Sequence, residues 1–311
     1  MRKWIVGTRQ SALALTQTNQ VLEALRSVGR RHGIECEFEV RKIVTKGDRI
    51  LDVTLSKVGG KGLFVKEIEQ ALMDREIDFA VHSMKDMPAA LPEGLIIGCV
   101  PEREDPRDAF IARGGWTLET LPTGAKLGTS SLRRSSQMKF LRPDLVVEPL
   151  RGNIDSRLRR LENGDFDAIL LASAGLRRMG WSDRITSPVE ADVCVPAVGQ
   201  GALALECREG DEELLALFSL YHHERTAAAV AAERAFLGTL NGGCQVPIGA
   251  HATLDASGRT VTLTGFVGTP DGERLLRETA SGDEPAALGR SLGETLLARG
   301  AAAILAEARE E

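Results

Sequence analysis

Short apolar runs alternate with amphipathic stretches along the first two thirds of the chain. Residues 3–8 read as a strand, and Thr8 or Ser11 is placed to cap a helix running to about Gly29. Leu13, Leu15, Val21, Leu22 and Leu25 are its apolar positions. A strand is predicted over 35–44, a helix over 62–75, and buried strands over 78–82 and 95–100. This rhythm predicts a largely parallel sheet covered by helices on both faces. A polar, proline-bounded segment, Pro101-Glu-Arg-Glu-Asp-Pro106, then leads to a second set. Its strands are predicted at 108–113, 125–128, 145–149 and 167–172, and its helices at 131–141, 154–162 and 174–179, with Gly164 where a C-cap belongs. Pro196-Ala-Val-Gly-Gln-Gly201 reads as a second crossing into a strand at 202–207. Two crossings indicate one domain inserted into another, and a cleft between two such domains is a natural ligand site. From about Asp211 an alanine-rich helical stretch runs to Leu240. Strands at 246–254, 260–267 and 273–279 and a helix at 285–308 follow, the pattern of a small α+β domain.

Composition narrows the class. The chain has 311 residues, 43% hydrophobic and 27% charged, with a net charge of −5. That suits a soluble protein of two or three domains and gives no reason to expect nucleic acid. No signal peptide precedes the first strand, and no run reaches the roughly 20 apolar residues that span a bilayer, so a cytoplasmic protein is expected. The five cysteines are odd in number, scattered and never in a C-x-x-C pair, which argues against a disulfide framework and a zinc site. Cys36, Cys99, Cys194 and Cys207 lie in strand-like runs and read as core residues. Cys244 alone stands in a turn-like setting, Leu240-Asn-Gly-Gly-Cys-Gln-Val-Pro-Ile-Gly249. His222-His223, adjacent within a helical pattern, lacks metal spacing, and His82 beside Ser83 is no triad by itself.

Charge is unevenly placed. From Lys126 to Arg160 nine Lys/Arg stand against three acids, a local excess of +6 in an acidic protein. A solvated basic helix face would account for such a run; so would a cleft that attracts an anion. Gly128-Thr-Ser-Ser-Leu-Arg-Arg134 puts hydroxyls and two arginines where a strand gives way to a helix, a position whose free N–H groups favour an anion. Leu150-Arg-Gly-Asn-Ile-Asp-Ser-Arg157, Ala174-Gly-Leu-Arg-Arg-Met179 and Gly7-Thr-Arg-Gln-Ser11 repeat that logic. Arginine's planar fork suits carboxylate or phosphate, and four such turns point to a polyanionic ligand. Ser56-Lys-Val-Gly-Gly-Lys-Gly-Leu-Phe64 reads as a glycine-rich lid bearing Lys57, Lys61 and Phe64. Lys85 and Asp86 follow a buried strand at its carboxyl end, where open α/β sheets bind ligands. By pattern alone a routine exposed pair is the simpler reading.

Taken in order, these motifs match one family. Gly7-Thr-Arg-Gln-Ser-Ala-Leu-Ala14, Gly59-Gly-Lys-Gly-Leu-Phe64, His82-Ser-Met-Lys-Asp86, Glu102-Arg-Glu-Asp-Pro-Arg-Asp-Ala109, Gly128-Thr-Ser-Ser-Leu-Arg-Arg134, Leu150-Arg-Gly-Asn153, Pro196-Ala-Val-Gly-Gln-Gly201 and Gly242-Gly-Cys-Gln-Val-Pro247 make the chain resemble the porphobilinogen deaminase (hydroxymethylbilane synthase) family of tetrapyrrole biosynthesis. The resemblance implies two α/β domains of the periplasmic-binding-protein type II kind, joined by two crossings, plus a small α+β C-terminal domain. Their expected limits are 1–101 with 200–220, 106–196, and 221–311. It implies an enzyme that joins four porphobilinogen molecules head to tail, each losing ammonia, and releases the linear product with water. A dipyrromethane cofactor would be anchored through a thioether to Cys244.

The same resemblance assigns roles. Every ring carries an acetate and a propionate, so the site must hold many carboxylates. Arg133, Arg134, Thr129, Ser131 and Lys85 are expected on the cofactor, with Arg9, Arg151, Arg157 and Arg178 on substrate-derived rings. Asp86 is the expected catalytic carboxylate, stabilising the cation left when ammonia departs. No metal is expected, and neither nucleic acid nor membrane is an expected partner; the family implies a monomer. The alternatives are a solute-binding module sharing the two-domain cleft, a nucleic-acid binder resting on the basic segment, and a cysteine hydrolase using Cys244. The last would need a nearby histidine base, for which the sequence has no marker.

Overall fold

A computed structural model describes residues 2–49, 62–242 and 246–310. They fall in two units, one holding residues up to 49 with 62–104 and 202–227, the other 105–201 and 228–310.

In the first unit β1 (Lys3–Arg9) pairs in parallel with β2 (Glu37–Ile43) and with β3 (Phe79–Ser83). Then β10 (Leu203–Arg208) lies antiparallel between β3 and β4 (Leu95–Cys99), giving the order β2-β1-β3-β10-β4. Alternation along β1 sends Trp4 and Val6 to one core and Ile5 to the other. The first core packs against helix Ala12–Arg31 through Val21, Leu22 and Leu25, and against Phe218 of helix Glu212–Ser219. Trp4, Phe38, Phe79 and Phe218 form a chain of ring contacts at centroid distances of 5.7, 5.9 and 5.2 Å. Each such pair adds about 0.5–1.5 kcal/mol beyond area burial. Helix Lys66–Met73 covers the opposite face with Ile68, Ala71 and Leu72. The long helix begins where Ser11 accepts the Ala14 N–H, as the sequence predicts.

In the second unit β6 (Lys126–Gly128) is parallel to β7 (Val146–Glu148) and β8 (Ala168–Ala172), while β5 (Asp108–Ala112) is antiparallel to β8 and to β9 (Ser187–Val189). The order, β7-β6-β8-β5-β9, repeats that of the first sheet: three parallel strands, one antiparallel strand, one edge strand. In each sheet the antiparallel strand is the one that enters after a chain crossing. This is the type II arrangement expected. It also qualifies the largely parallel reading, because β10 and β5 arrive from outside the local βαβ rhythm.

The C-terminal part is an antiparallel sheet of β11 (Ile248–Leu254), β12 (Val261–Gly268) and β13 (Leu275–Gly282). Phe236 of helix Glu224–Thr239 packs with Leu263, Val267, Leu292, Leu296, Ile304 and Leu305 in its core. The final helix is broken rather than continuous: Pro285–Leu296 and Ala302–Glu310 are separated by a wide turn in which Gly300 has φ 101°.

The alanine-rich stretch is likewise two helices, Glu212–Ser219 and Glu224–Thr239. The histidine pair therefore stands in the break, not inside a helix. His222 Nδ1 accepts the Val100 N–H at 3.1 Å and the His223 N–H donates to the Val100 carbonyl at 2.9 Å. Those bonds divert the backbone, and the His223 ring accepts the Thr226 N–H in the manner of a cap. Among the described residues no helix is long and apolar enough to cross a membrane.

Candidate functional site

In the first unit Asp86 ends a tight turn, Met84–Asp86, that continues directly from β3. The Met84 N–H donates to the Ala202 carbonyl at 3.0 Å, and Met84 and Met87 are buried, so the turn is anchored on both sides. Met87 is extended, as a residue before proline should be. Lys85 and Asp86 are left half-buried.

Arg9, at the end of the neighbouring β1, reaches this turn. Its Nη1 lies 3.8 Å from Asp86 Oδ2, its Nε and Nη2 bond Asp48 Oδ1 at 3.1 and 2.5 Å, and its guanidinium stacks 4.2 Å from the centroid of the Phe64 ring. Burial penalises the Asp48 charge, yet Arg9 and Thr45 outweigh it and hold the carboxyl below its usual range. Asp48, unmarked in the sequence, thus orients Arg9. Phe64, read there as part of a lid, supports Arg9 from the other side.

The second unit gathers the cations. Gly128 ends β6 in close packing: a Cβ there would meet Phe166, Leu150 and Ile169 at 2.9–3.1 Å. Thr129 is buried and Ser131 caps helix Leu132–Leu141, accepting the Arg134 N–H at 3.4 Å. Arg133 and Arg134 are buried and converge on the fully buried Asp108. Arg133 Nη1 lies 2.8 Å from Asp108 Oδ2, and Arg134 Nε and Nη2 bond Oδ1 at 3.0 and 2.7 Å. Gln200 Nε2 donates to the same oxygen at 2.8 Å. Burial alone would push the Asp108 carboxyl up; the two guanidinium groups hold it well below the usual carboxylate range. Arg133 also donates to the Val195 carbonyl and Arg134 to that of Leu170.

Arg151 and Arg157 flank the Gly152–Asn153 turn, where Gly152 has φ 109° and Asn153 caps the helix by accepting the Ser156 N–H. Arg157 Nε donates to the Gly152 carbonyl at 2.7 Å. Burial, then the like charges of Arg134 and Arg151, bring the Arg157 guanidinium down to about 10. Arg151 Nη1 is buried without a hydrogen-bond partner. Three neighbouring cations, one with an orphaned donor, are what a ligand rich in carboxylates would complete. Arg178 Nη2 donates to the Gly201 carbonyl at 2.7 Å, whereas Arg177 pairs with Asp105 at 3.3 Å.

Cys244, Lys57 and Lys61 lie outside the described residues. The approach to Cys244 differs in one respect from a turn made by glycine freedom. Asn241 takes the left-handed conformation at φ 49°, while Gly242 is needed for space, since a Cβ there would meet Ile248 at 2.5 Å and Leu237 at 2.7 Å. Burial pushes the thiols of Cys99, Cys194 and Cys207 up to about 12, in keeping with their reading as core residues. Sequence reasoning did not find Asp48, Asp108 or Gln200. Asp108 stands within the motif Glu102-Arg-Glu-Asp-Pro-Arg-Asp-Ala109, and that was its one signal.

Two sheets of type II order, with arginines gathered at strand-to-helix turns of the second, define an α/β protein of the two-sheet binding-protein kind with a cluster of cations. The family model described as "Porphobilinogen deaminase, dipyromethane cofactor binding domain" matches residues 4–216, and "Porphobilinogen deaminase, C-terminal domain" matches 227–298. A porphobilinogen deaminase of Paenibacillus macerans is 59% identical, over 96% of this chain and 98% of its own length. One from Brevibacillus brevis is 58% identical over 100% and 99%. Among solved structures, a TRAP periplasmic solute binding protein from Desulfovibrio salexigens has a TM-score of 0.46 at 9% identity, covering 72% of this chain and 73% of that one. The chain belongs to the porphobilinogen deaminase family. Its cofactor is a dipyrromethane, and the orphaned donor of Arg151 beside Arg134 and Arg157 fits that group's acetates and propionates.

Proposed function

We propose that Arg134, Arg151 and Arg157 hold ring carboxylates in an enzyme that joins four porphobilinogen molecules head to tail, with loss of ammonia, and releases linear hydroxymethylbilane by hydrolysis. The observation that carries this is the cation cluster itself, in which the buried Arg151 Nη1 has no protein partner. When bound, the dipyrromethane supplies the primer to which substrate is joined, and Cys244 is its proposed thioether anchor. Thr129, Ser131 and Lys85 add donors to it. Arg133 serves it through Asp108, which fixes the orientation of both neighbouring arginines. Arg9 and Arg178 are the proposed contacts to substrate carboxylates.

Asp86 is the proposed catalytic group. Departure of ammonia leaves positive charge on the substrate ring, and a carboxylate at its pyrrole N–H stabilises that charge. Unit charges about 4 Å apart at an effective dielectric of about 20 attract by about 4 kcal/mol. Gained only at the transition state, that is roughly three decades in rate. Arg9, 3.8 Å away, limits where the carboxylate points. Lys57, Lys61 and Phe64 belong to a proposed lid. The enzyme is proposed to work as a cytoplasmic monomer without nucleic-acid partners.

Intact mass spectrometry of the matured protein tests the reading. A mass exceeding the polypeptide by one dipyrromethane, lost in Cys244→Ala, is the expected result; an unmodified polypeptide that consumes no porphobilinogen overturns it.

A further inference from the structure

Beneath the Asp86 turn lies a buried group of ionisable side chains with no part in the reading above. His82 of β3 is 5% exposed and Glu206 of β10 is 0% exposed, and His82 Nε2 stands 3.0 Å from Glu206 Oε2. Glu69, from the helix covering this face, is 6% exposed. His82 Nε2, both Glu206 oxygens and Glu69 Oε1 make no hydrogen bond, so the His82–Glu206 approach is a close polar contact held by the packing around it. Burial and the nearby Glu206 push the Glu69 carboxyl up.

The pair's place in the sheet gives it a purpose. His82 is opposite Ala204 and Glu206 is opposite Ala80, so two alanines leave the room in which the longer side chains meet along the ladder. The ladder ends one rung later, at Ser83 opposite Leu203, and the Asp86 turn begins there with the Met84 N–H on the Ala202 carbonyl. Hence the pair spans the middle rungs, from His82 opposite Ala204 to Glu206 opposite Ala80, of the two strands from which the turn is suspended. Replacing a buried polar pair by apolar side chains of similar volume is often neutral or stabilising, and such pairs serve in some proteins to fix one arrangement over others.

We infer that His82 and Glu206 are positioning residues for Asp86, locking the β3–β10 register so that the carboxylate meets the reacting ring in a single orientation. This rests on Asp86 acting on porphobilinogen as proposed above. A displacement of about 1 Å in a reacting group costs up to about 100-fold in rate, and it does so in kcat when ground-state binding is made elsewhere.

The test compares holoenzyme carrying Glu206→Gln, and the apolar pair His82→Leu with Glu206→Met, with wild type and Asp86→Asn. Both test variants are expected to melt near the wild-type temperature and to carry the full dipyrromethane mass. Their kcat should be lower by about 10- to 100-fold, with KM for porphobilinogen within about 2-fold. Wild-type kcat in a folded apolar pair overturns the inference, because the pair would then serve packing alone. Failure of both variants to fold overturns it equally. If Asp86→Asn turns over at the wild-type rate, the reading of Asp86 fails instead; if Asp86→Asn is inactive while the test variants are fully active, only the present inference falls.

Discussion

Asp86 is half-buried on a turn whose backbone is anchored through Met84 and Ala202, so Asp86→Asn removes a charge and little else. The variant should fold, carry its dipyrromethane by mass, and turn over roughly three decades more slowly; steady-state assays that find it near wild type would remove Asp86 from the chemistry. Glu69 offers a test of a different kind. Its folded carboxyl is raised above the unfolded value, so the folded state binds the proton more tightly than the unfolded chain. That contribution is fully present below the unfolded value of about 4.3 and is lost as pH rises through the folded one. Glu69→Gln keeps the shape of the protonated acid and removes the loss. Melting curves should therefore show the variant gaining on wild type as pH is raised from about 4 to 8; a constant difference would mean that the Glu69 carboxyl is not raised on folding.

Elements explain how the cations are brought together. β6 is only three residues long, and the turn behind it depends on Gly128 lying flush against Phe166, Leu150 and Ile169. Gly128→Ala overpacks that contact and should cost about 1–3 kcal/mol, read from denaturant midpoints at unchanged slope. Much at this scale was legible in the sequence. The Ser11 cap and the bounds of helix Ile154–Glu162 are local signals, carried by residues within a turn of one another. The break at His222–His223 was not legible, because it is made by Val100, more than a hundred residues away. Asp108, Asp48 and the His82–Glu206 pair escaped for the same reason: what defines them is a partner on another strand or helix, and hydrophobic period carries no trace of it. The arginine turns were visible as motifs, but only the fold shows Arg133 engaged by Asp108 and the Val195 carbonyl through its Nη atoms, and Arg151 with Nη1 buried and unbonded.

For the molecule as a whole, the cation cluster makes stability depend on what fills it. With Cys244 as the proposed anchor, Cys244→Ala should lack the cofactor and leave Arg134, Arg151 and Arg157 repelling one another. Its melting temperature should lie below that of wild type and rise more steeply with added sulfate, by binding and by screening. Parallel sulfate series for the two proteins would refute the idea that the cofactor's carboxylates neutralise these cations. The strand order has a consequence of another kind, for synthesis on the ribosome. Among the described residues β4 pairs only with β10, and β10 follows it after the whole of the second α/β sheet. At about 5–20 residues per second, the interval from Cys99 to Leu203 is roughly 5 to 20 s. Throughout it the first sheet has an open edge at β3 and an unpaired β4, while β5 to β9 have every strand they need. Folding of the nascent chain should therefore run out of sequence order, the inserted sheet closing before the one that began first.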